Sequence, residues 1–109
     1  MGCVAPPVNS LELVRRLAIQ ERTCEFFQAV LEELRRHGLD TDDLREILVS
    51  ELGEAHCFRS RPTEKYFPAT ASDYYSVWID DCGGRMFIKL LVSNDRLVIT
   101  SFKKDNRYA

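Results

Sequence analysis

The spacing of the apolar residues changes at Gly53, and this change constrains the fold more than any other feature of the 109-residue chain. Before Gly53, apolar residues recur every three or four positions, as they do along one side of an amphipathic helix. After Gly53, short segments alternate apolar and polar residues or are apolar throughout, as strands do. The sequence therefore predicts a single α+β domain in which N-terminal helices pack on one face of a mostly antiparallel sheet.

The domain is expected to divide into four consecutive parts. Residues 1–9 form a flexible lead, residues 10–53 the helical part, residues 54–103 the sheet, and residues 104–109 the end of a polar tail that frays. A chain of this length supports one hydrophobic core, so a functional site is expected on the surface or in a shallow cleft.

Three helices are predicted in the first half. Asn9 begins the first with a capping-box-like pattern. The second spans residues 22–37 and ends at Gly38, which can adopt the left-handed cap conformation. Asp40 caps the third, which ends at Gly53.

Four strands are predicted after the helices. Two prolines, Pro62 and Pro68, interrupt regular pairing, so residues 61–71 form a loop or an edge segment. Glycine-rich and Asn-Asp turns connect the last three strands into a meander. The predicted strands cover residues 57–61, 74–80, 86–92 and 97–102.

Several function classes are disfavoured by what the sequence lacks. It has no glycine-rich phosphate loop, no metal-ligand cluster and no Ser/His/Asp arrangement, so neither a metal nor a cofactor is expected. The four cysteines are scattered without a C-x-x-C pair, which favours buried or incidental thiols. No apolar stretch reaches the roughly 18–20 residues of a membrane span, and no signal peptide is evident, so a cytoplasmic protein is predicted.

The net charge of −2 conceals an uneven distribution. Residues 1–56 carry eleven acidic and six basic side chains, whereas residues 57–109 carry six acidic and nine basic ones. A solvated acidic helical face beside an ordinary surface would explain this division. However, basic residues also gather near strand ends of one predicted sheet: Arg59, Arg61, Lys89, Lys103 and Lys104.

An ordered series of short motifs resembles the MqsR family of bacterial toxins. The series extends from about Ser10 to Lys103, with an additional stretch between Arg61 and Ala71. Its pieces are the run at residues 56–60, the pair Trp78 and Asp80, the strand at residues 87–90 and the ending at residues 101–103. The resemblance implies a RelE-like microbial-ribonuclease fold and a toxin that cleaves mRNA without a metal. It also implies a cognate antitoxin protein as partner.

The resemblance also indicates which residues would form the active site. The family's two active lysines match Arg59 and Lys103, its active glutamine matches Ile79, and its active tyrosine matches Phe87. Metal-free cleavage needs proton transfer and positive charge around the phosphorane. Arg59 would clamp the phosphate, Lys103 would hold a nonbridging oxygen or protonate the leaving oxygen, and His56 would take the 2′-proton.

Further residues are expected to bind RNA around these catalytic candidates: Arg61, Lys89, Lys104 and Tyr75. Tyr66, Tyr74 or Tyr75 could instead stack on a base or replace the hydroxyl that Phe87 lacks. The favoured alternative for His56 is that it caps the end of the third helix or fills the junction between helices and sheet, and Trp78 is expected in the core.

Two other functions stay open at this point. Because Ile79 and Phe87 lack polar groups, the chain could be a non-catalytic member of the same fold that binds an antitoxin, RNA or the ribosome. A small protein-interaction module would be favoured if Arg59 and Lys103 were far apart.

Overall fold

The protein is described here from a computed structural model, which describes residues 5–108. Its helices are α1 (Leu11–Ile19), α2 (Gln28–Arg36) and α3 (Thr41–Ser50). Its strands are β1 (Cys24–Phe26), β2 (Cys57–Pro62), β3 (Ala71–Ile79), β4 (Gly84–Ser93) and β5 (Arg96–Lys104). Together the strands form one sheet in the order β1-β5-β4-β3-β2. Neighbouring strands are antiparallel except β1 and β5, which are parallel.

The helices cover one face of this sheet and leave the other face uncovered over much of its area, which confirms the predicted α+β fold. The covered face carries apolar side chains at alternate positions of the three central strands, as the pleat requires. α1 and α2 contact β5, and α3 packs against α1. The buried strand residues on this face include Tyr75, Val77, Ile79, Met86, Ile88, Leu90, Leu97 and Ile99.

The second helix is shorter than predicted, because Cys24–Phe26 forms strand β1. β1 pairs with β5, with Cys24 opposite Leu97. The apolar residues that predicted the helix begin only at Phe27, which is the N-cap of α2. Pairing with β5 therefore determines the structure of the three preceding residues, which lack a helical apolar pattern of their own. The predicted cap at Gly38 is confirmed by its φ of 71°.

The caps of α1 and α3 show how local hydrogen bonds start these helices. The N-cap of α1 is Ser10, whose Oγ accepts a hydrogen bond from the Leu13 amide at 3.1 Å. The prediction that Asn9 caps this helix was therefore wrong by one residue. Asp40 caps α3 as predicted, since it and Asp43 each accept a hydrogen bond from the other's backbone amide at 2.9 Å.

The chain segments next to both ends are more strongly attached than predicted. In the lead, the Ala5 amide donates to the Cys57 carbonyl at 3.1 Å, and the Val8 amide donates to Asp73 at 2.9 Å. In the tail, Lys104 belongs to β5 and Asp105 is only 5% exposed. The lead and the tail therefore contact the sheet at these residues, and residues 1–4 and 109 lie outside the described part.

The cysteine prediction is confirmed where the structure describes the side chains. Cys24, Cys57 and Cys82 are buried free thiols, and burial raises the pKa of Cys24 to about 12. Cys3 lies outside the described residues. Within residues 5–108, none of the helices has the length and apolar character needed to cross a membrane.

Candidate functional site

Three aromatic rings form a cluster on the uncovered face of the sheet. Tyr74 of β3 contacts Phe87 of β4 with ring centroids 5.5 Å apart, and Phe58 of β2 lies 6.1 Å from each of them. The pairing of β2 with β3 shifts in register between Cys57 and Arg59, so the ladder skips Phe58. This bulge places the Phe58 ring against the other two.

Each ring of this cluster lies next to a cation. Lys89 Nζ is 5.4 Å from the centroid of Tyr74, and Lys103 Nζ is 5.6 Å from that of Phe87. The Arg107 guanidinium is centred 3.5 Å from the Phe58 ring. Such contacts attract a cation to the electron-rich face of a ring without removing its charge, so the cluster collects positive charge on this face.

Arg59 and Lys103 line one cleft of about 290 Å³ beside the rings. The backbone of β2 lies three strand spacings from that of β5, roughly 14 Å. Both side chains lie on the uncovered face, since Arg59 is opposite Tyr74 and Lys103 is opposite Phe87. Arg107 lines the same cleft. Lys104 lies opposite Met86, so its side chain points to the other face with Nζ beside Gly84, and its predicted role in RNA binding is not supported by this placement. The cleft therefore combines three basic side chains with an aromatic floor, an arrangement suited to an anion attached to planar rings.

Asp105 holds Arg107 in this arrangement. Its carboxylate accepts hydrogen bonds from Arg107 Nε at 3.1 Å and Nη2 at 3.0 Å, and from the Ser76 hydroxyl at 2.5 Å. The hydrogen bonds from Arg107 are the main reason that the pKa of Asp105 falls to about 2. Asp105 thus ties the end of the chain to β3 and fixes a cation at the edge of the cleft.

The lowered pKa of Asp105 predicts a specific acid sensitivity. Its value in the folded protein lies below the ordinary 3.8, so the stability that the ionised group contributes is fully present above about pH 4 and is lost as the pH falls toward 2. In urea unfolding between pH 5 and pH 2, we expect the unfolding free energy of Asp105→Asn to fall less steeply than that of the wild type. Equal pH dependence in the two proteins would contradict this assignment.

His56 lies outside the lining of this cleft. It ends the short 3-10 turn Glu54–His56, where its Nδ1 accepts a hydrogen bond from the Gly53 amide at 2.9 Å. Burial lowers the pKa of His56 below its ordinary 6.5, and the positive charge of Arg85 lowers it further. The neutral ring therefore carries its proton on Nε2, and its one basic nitrogen is engaged by Gly53. This geometry favours the capping interpretation over removal of a 2′-proton.

Tyr75 cannot contact RNA in this fold, so its predicted binding role was wrong. Its side chain is 0% exposed and faces the helices. The pleat instead places Tyr74, one residue earlier, on the uncovered face, where it pairs with Lys89. The Tyr75 hydroxyl is buried without a hydrogen-bond partner in the described part of the chain, and burial raises its pKa.

Removing the buried hydroxyl of Tyr75 should stabilise the protein. We expect Tyr75→Phe to raise the free energy of unfolding by about 1 kcal/mol, because the unfolded chain alone can hydrogen-bond this hydroxyl to water. Urea unfolding measures the change, and RNA binding should be unaltered. If Tyr75→Phe instead lowers the free energy of unfolding, the hydroxyl of Tyr75 must have a hydrogen-bond partner in the folded protein.

The last two residues of β3, Trp78 and Ile79, point to opposite faces of the sheet. Trp78 was predicted in the core but is 55% exposed, with its indole N–H donating to Asp80 at 2.8 Å. Ile79 is 2% exposed and faces the helices, so a polar side chain there would not reach the cleft. Of the two positions that lack polar groups, only Phe87 lies in the cleft.

The remaining predicted RNA-binding residues lie along the same face. Arg61 is exposed on β2, the edge strand of the sheet, and lies opposite Ser72 of β3. Lys89 is half-buried beside Tyr74. Phe58 and Arg107 were not predicted as site residues, because neither a single bulge nor a short ordered tail has a clear sequence signal.

No family model matches the sequence, and no curated protein matches it. Among residues 5–108, no group of three or more His, Cys, Asp or Glu side chains is placed to hold a metal ion.

Proposed function

We propose that this protein is the toxin of a bacterial toxin–antitoxin system and cleaves mRNA as a metal-independent endoribonuclease. The observation that carries the proposal is that Arg59 and Lys103 line one cleft on the uncovered face of the sheet. These are the two positions at which the resemblance to MqsR toxins expects active basic residues. The same observation disfavours a protein-interaction module in which the two would be unrelated.

The cleft contains groups suited to cleavage by the RNA's own 2′-hydroxyl. The 2′-oxygen attacks the adjacent phosphorus, the bond to the 5′-oxygen breaks, and a 2′,3′-cyclic phosphate and a 5′-hydroxyl result. Arg59 stays protonated and clamps the nonbridging oxygens. Lys103 neutralises the charge that develops on the phosphorane and donates a proton to the leaving 5′-oxygen.

Tyr74 is the side chain that we assign to orient the attacking 2′-hydroxyl, whose proton passes to water. It lines the cleft, and its ring lies 5.5 Å from that of Phe87, the position at which the resembled family has its tyrosine. A phenol both donates and accepts hydrogen bonds, which Phe87 cannot do. Tyr74 of β3 thereby supplies the hydroxyl that Phe87 of β4 lacks.

A non-catalytic member of the same fold is the second candidate. It would use the cleft to bind an antitoxin, RNA or the ribosome, and the apolar floor at Phe87 favours it. The two candidates share the same charged surface and differ only in whether bound RNA is cut.

The partner that we propose is an antitoxin protein with an acidic or extended segment that covers the cleft in the cytoplasm. Its acidic groups would complement Arg59, Lys103 and Arg107, and the edge strand β2 offers backbone groups for an added strand. Co-expression with the product of the adjacent gene, followed by affinity purification, tests this. Failure to form a complex with either neighbouring gene product would contradict it.

The catalytic proposal is tested with the purified protein and an RNA transcript in EDTA. We expect cleavage to persist, with products that end in a 2′,3′-cyclic phosphate. If the protein binds RNA but cuts it no faster than the Lys103→Ala variant does, the non-catalytic function replaces this proposal.

A further inference from the structure

The loop of residues 63–70 forms a fixed wall at the side of the uncovered face. The Thr63 amide donates to the Thr70 carbonyl at 3.0 Å, and the Thr70 hydroxyl donates to the Phe67 carbonyl at 2.8 Å. Thr70 Oγ1 also lies 2.8 Å from Thr63 Oγ1, whose hydroxyl can donate to it. Thr63 Oγ1 also lies 2.9 Å from Ser72 Oγ, which ties the loop to β3. This loop contains the additional stretch that the resembled family lacks. Its hydrogen bonds hold it in one shape before any ligand binds.

The loop presents Tyr66 to solvent in a strained backbone conformation. The Tyr66 side chain is 80% exposed, and its φ of 70° is unfavourable for a residue with a Cβ atom. Its ring touches the edge of Phe27 at a centroid distance of 6.4 Å, and Phe27 in turn lies 6.3 Å from Phe67. A strained loop that holds an exposed aromatic ring is typical of a binding site rather than of a core.

A second cleft of about 310 Å³ separates this aromatic wall from the sheet. Phe27, Tyr66 and Phe67 line one side, and Tyr74 and Lys89 line the other. The volume lies at the lower end of the roughly 300–1,000 Å³ that small-molecule sites occupy. Tyr74 also lines the cleft that contains Arg59 and Lys103, so the two clefts are neighbours on the same face of the sheet.

We infer that this second cleft is a nucleobase subsite, in which Tyr66 stacks on the base of a nucleotide next to the phosphate held by Arg59 and Lys103. The inference rests on the proposed function, because it assigns the bound phosphate to RNA. Aromatic rings bind bases through stacking, and Lys89 and Lys65 beside the cleft attract the attached backbone. The subsite would give the protein a preference for the base beside the scissile bond.

The test measures binding of 2′-O-methyl RNA hexamers, which lack the attacking hydroxyl and so cannot be cut through it. One set carries bases and a matched set carries abasic residues at the same positions. We expect the wild type to bind the base-containing hexamers about 10-fold or more tightly than the abasic ones. Tyr66→Ala should abolish most of this difference, whereas Tyr66→Phe should keep it. Both variants retain a Cβ at the strained position, so they share its backbone cost.

The outcomes separate this inference from the proposed function. Equal binding of the two hexamer sets by the wild type, or an unchanged difference in Tyr66→Ala, overturns the subsite. Cleavage of unmodified RNA by the same wild-type protein is measured in parallel. If Tyr66→Ala loses the difference in affinity between the two hexamer sets and the wild type does not cleave RNA, the subsite is supported and the catalytic proposal is contradicted.

Discussion

RNA cleavage by Lys103→Ala is expected to be on the order of 10²-fold slower than cleavage by the wild type, because the variant loses a charge placed at the developing phosphorane. Lys103 is exposed at the end of β5, where its main contact is the Phe87 ring at 5.6 Å. An exposed cation–π contact contributes roughly 0.5–1 kcal/mol, so the fold should survive its loss. Single-turnover cleavage of one RNA at saturating protein, together with thermal unfolding, measures both effects.

The matched control for Lys103→Ala is Arg16→Ala. Arg16 is exposed in the last turn of α1, within the helix layer, and its removal changes the net charge by the same amount. Its cleavage rate should stay within about 3-fold of the wild type, since a distant charge acts on RNA only through screened electrostatics. Equal losses of rate in the two variants would show that total charge matters and that the position of Lys103 does not.

Asp73→Ala is expected to lower the free energy of unfolding by about 2–3 kcal/mol, because it leaves several part-buried hydrogen-bond donors without their acceptor. Asp73 is 0% exposed, and its carboxylate accepts hydrogen bonds from the Val8 and Asn9 amides at 2.9 Å. It also accepts from the Asn9 side chain at 2.9 Å and from the Ser60 hydroxyl. One side chain on β3 thus joins the lead to the edge strand β2.

Asp95→Ala is the control for this loss of stability. Asp95 is exposed in the turn between β4 and β5, and it has a φ of 59°. Asp95→Ala also removes a carboxylate, but from an exposed position. Urea unfolding should therefore show that the free energy of unfolding changes by less than about 1 kcal/mol. Similar effects at the two positions would mean that the hydrogen bonds to Asp73 contribute little to the fold.

The main elements of the fold could be predicted because their sequence patterns are long. α3 has both a capping pair and an apolar stripe, and β3 to β5 are each nine or ten residues long with turn residues between them. β1 has three residues and forms only because β5 lies beside it, so its sequence carries no signal of its own. Short elements of this kind depend on tertiary pairing, which a single sequence does not show.

The candidate site was predictable in its charges but not in its aromatic floor. Arg59 within β2 and Lys103 near the end of β5 lie on one face of the sheet and line one cleft. The position of Tyr74 rather than Tyr75 on that face depends on register, and a shift of one residue exchanges the two faces. Arg107 was missed because its placement depends on a buried contact between Asp105 and Ser76, which lies far away in the chain.

The most direct test of the central claim compares two oligonucleotides in EDTA. One is an RNA that contains a cleavage site mapped with the wild-type protein, and the other differs only by a single 2′-deoxy sugar on the 5′ side of the scissile phosphate. We predict that the all-ribose RNA is cut at that site to a 2′,3′-cyclic phosphate and that the deoxy-substituted one is not cut there. Cleavage of both at the same rate, or of neither, would contradict the account.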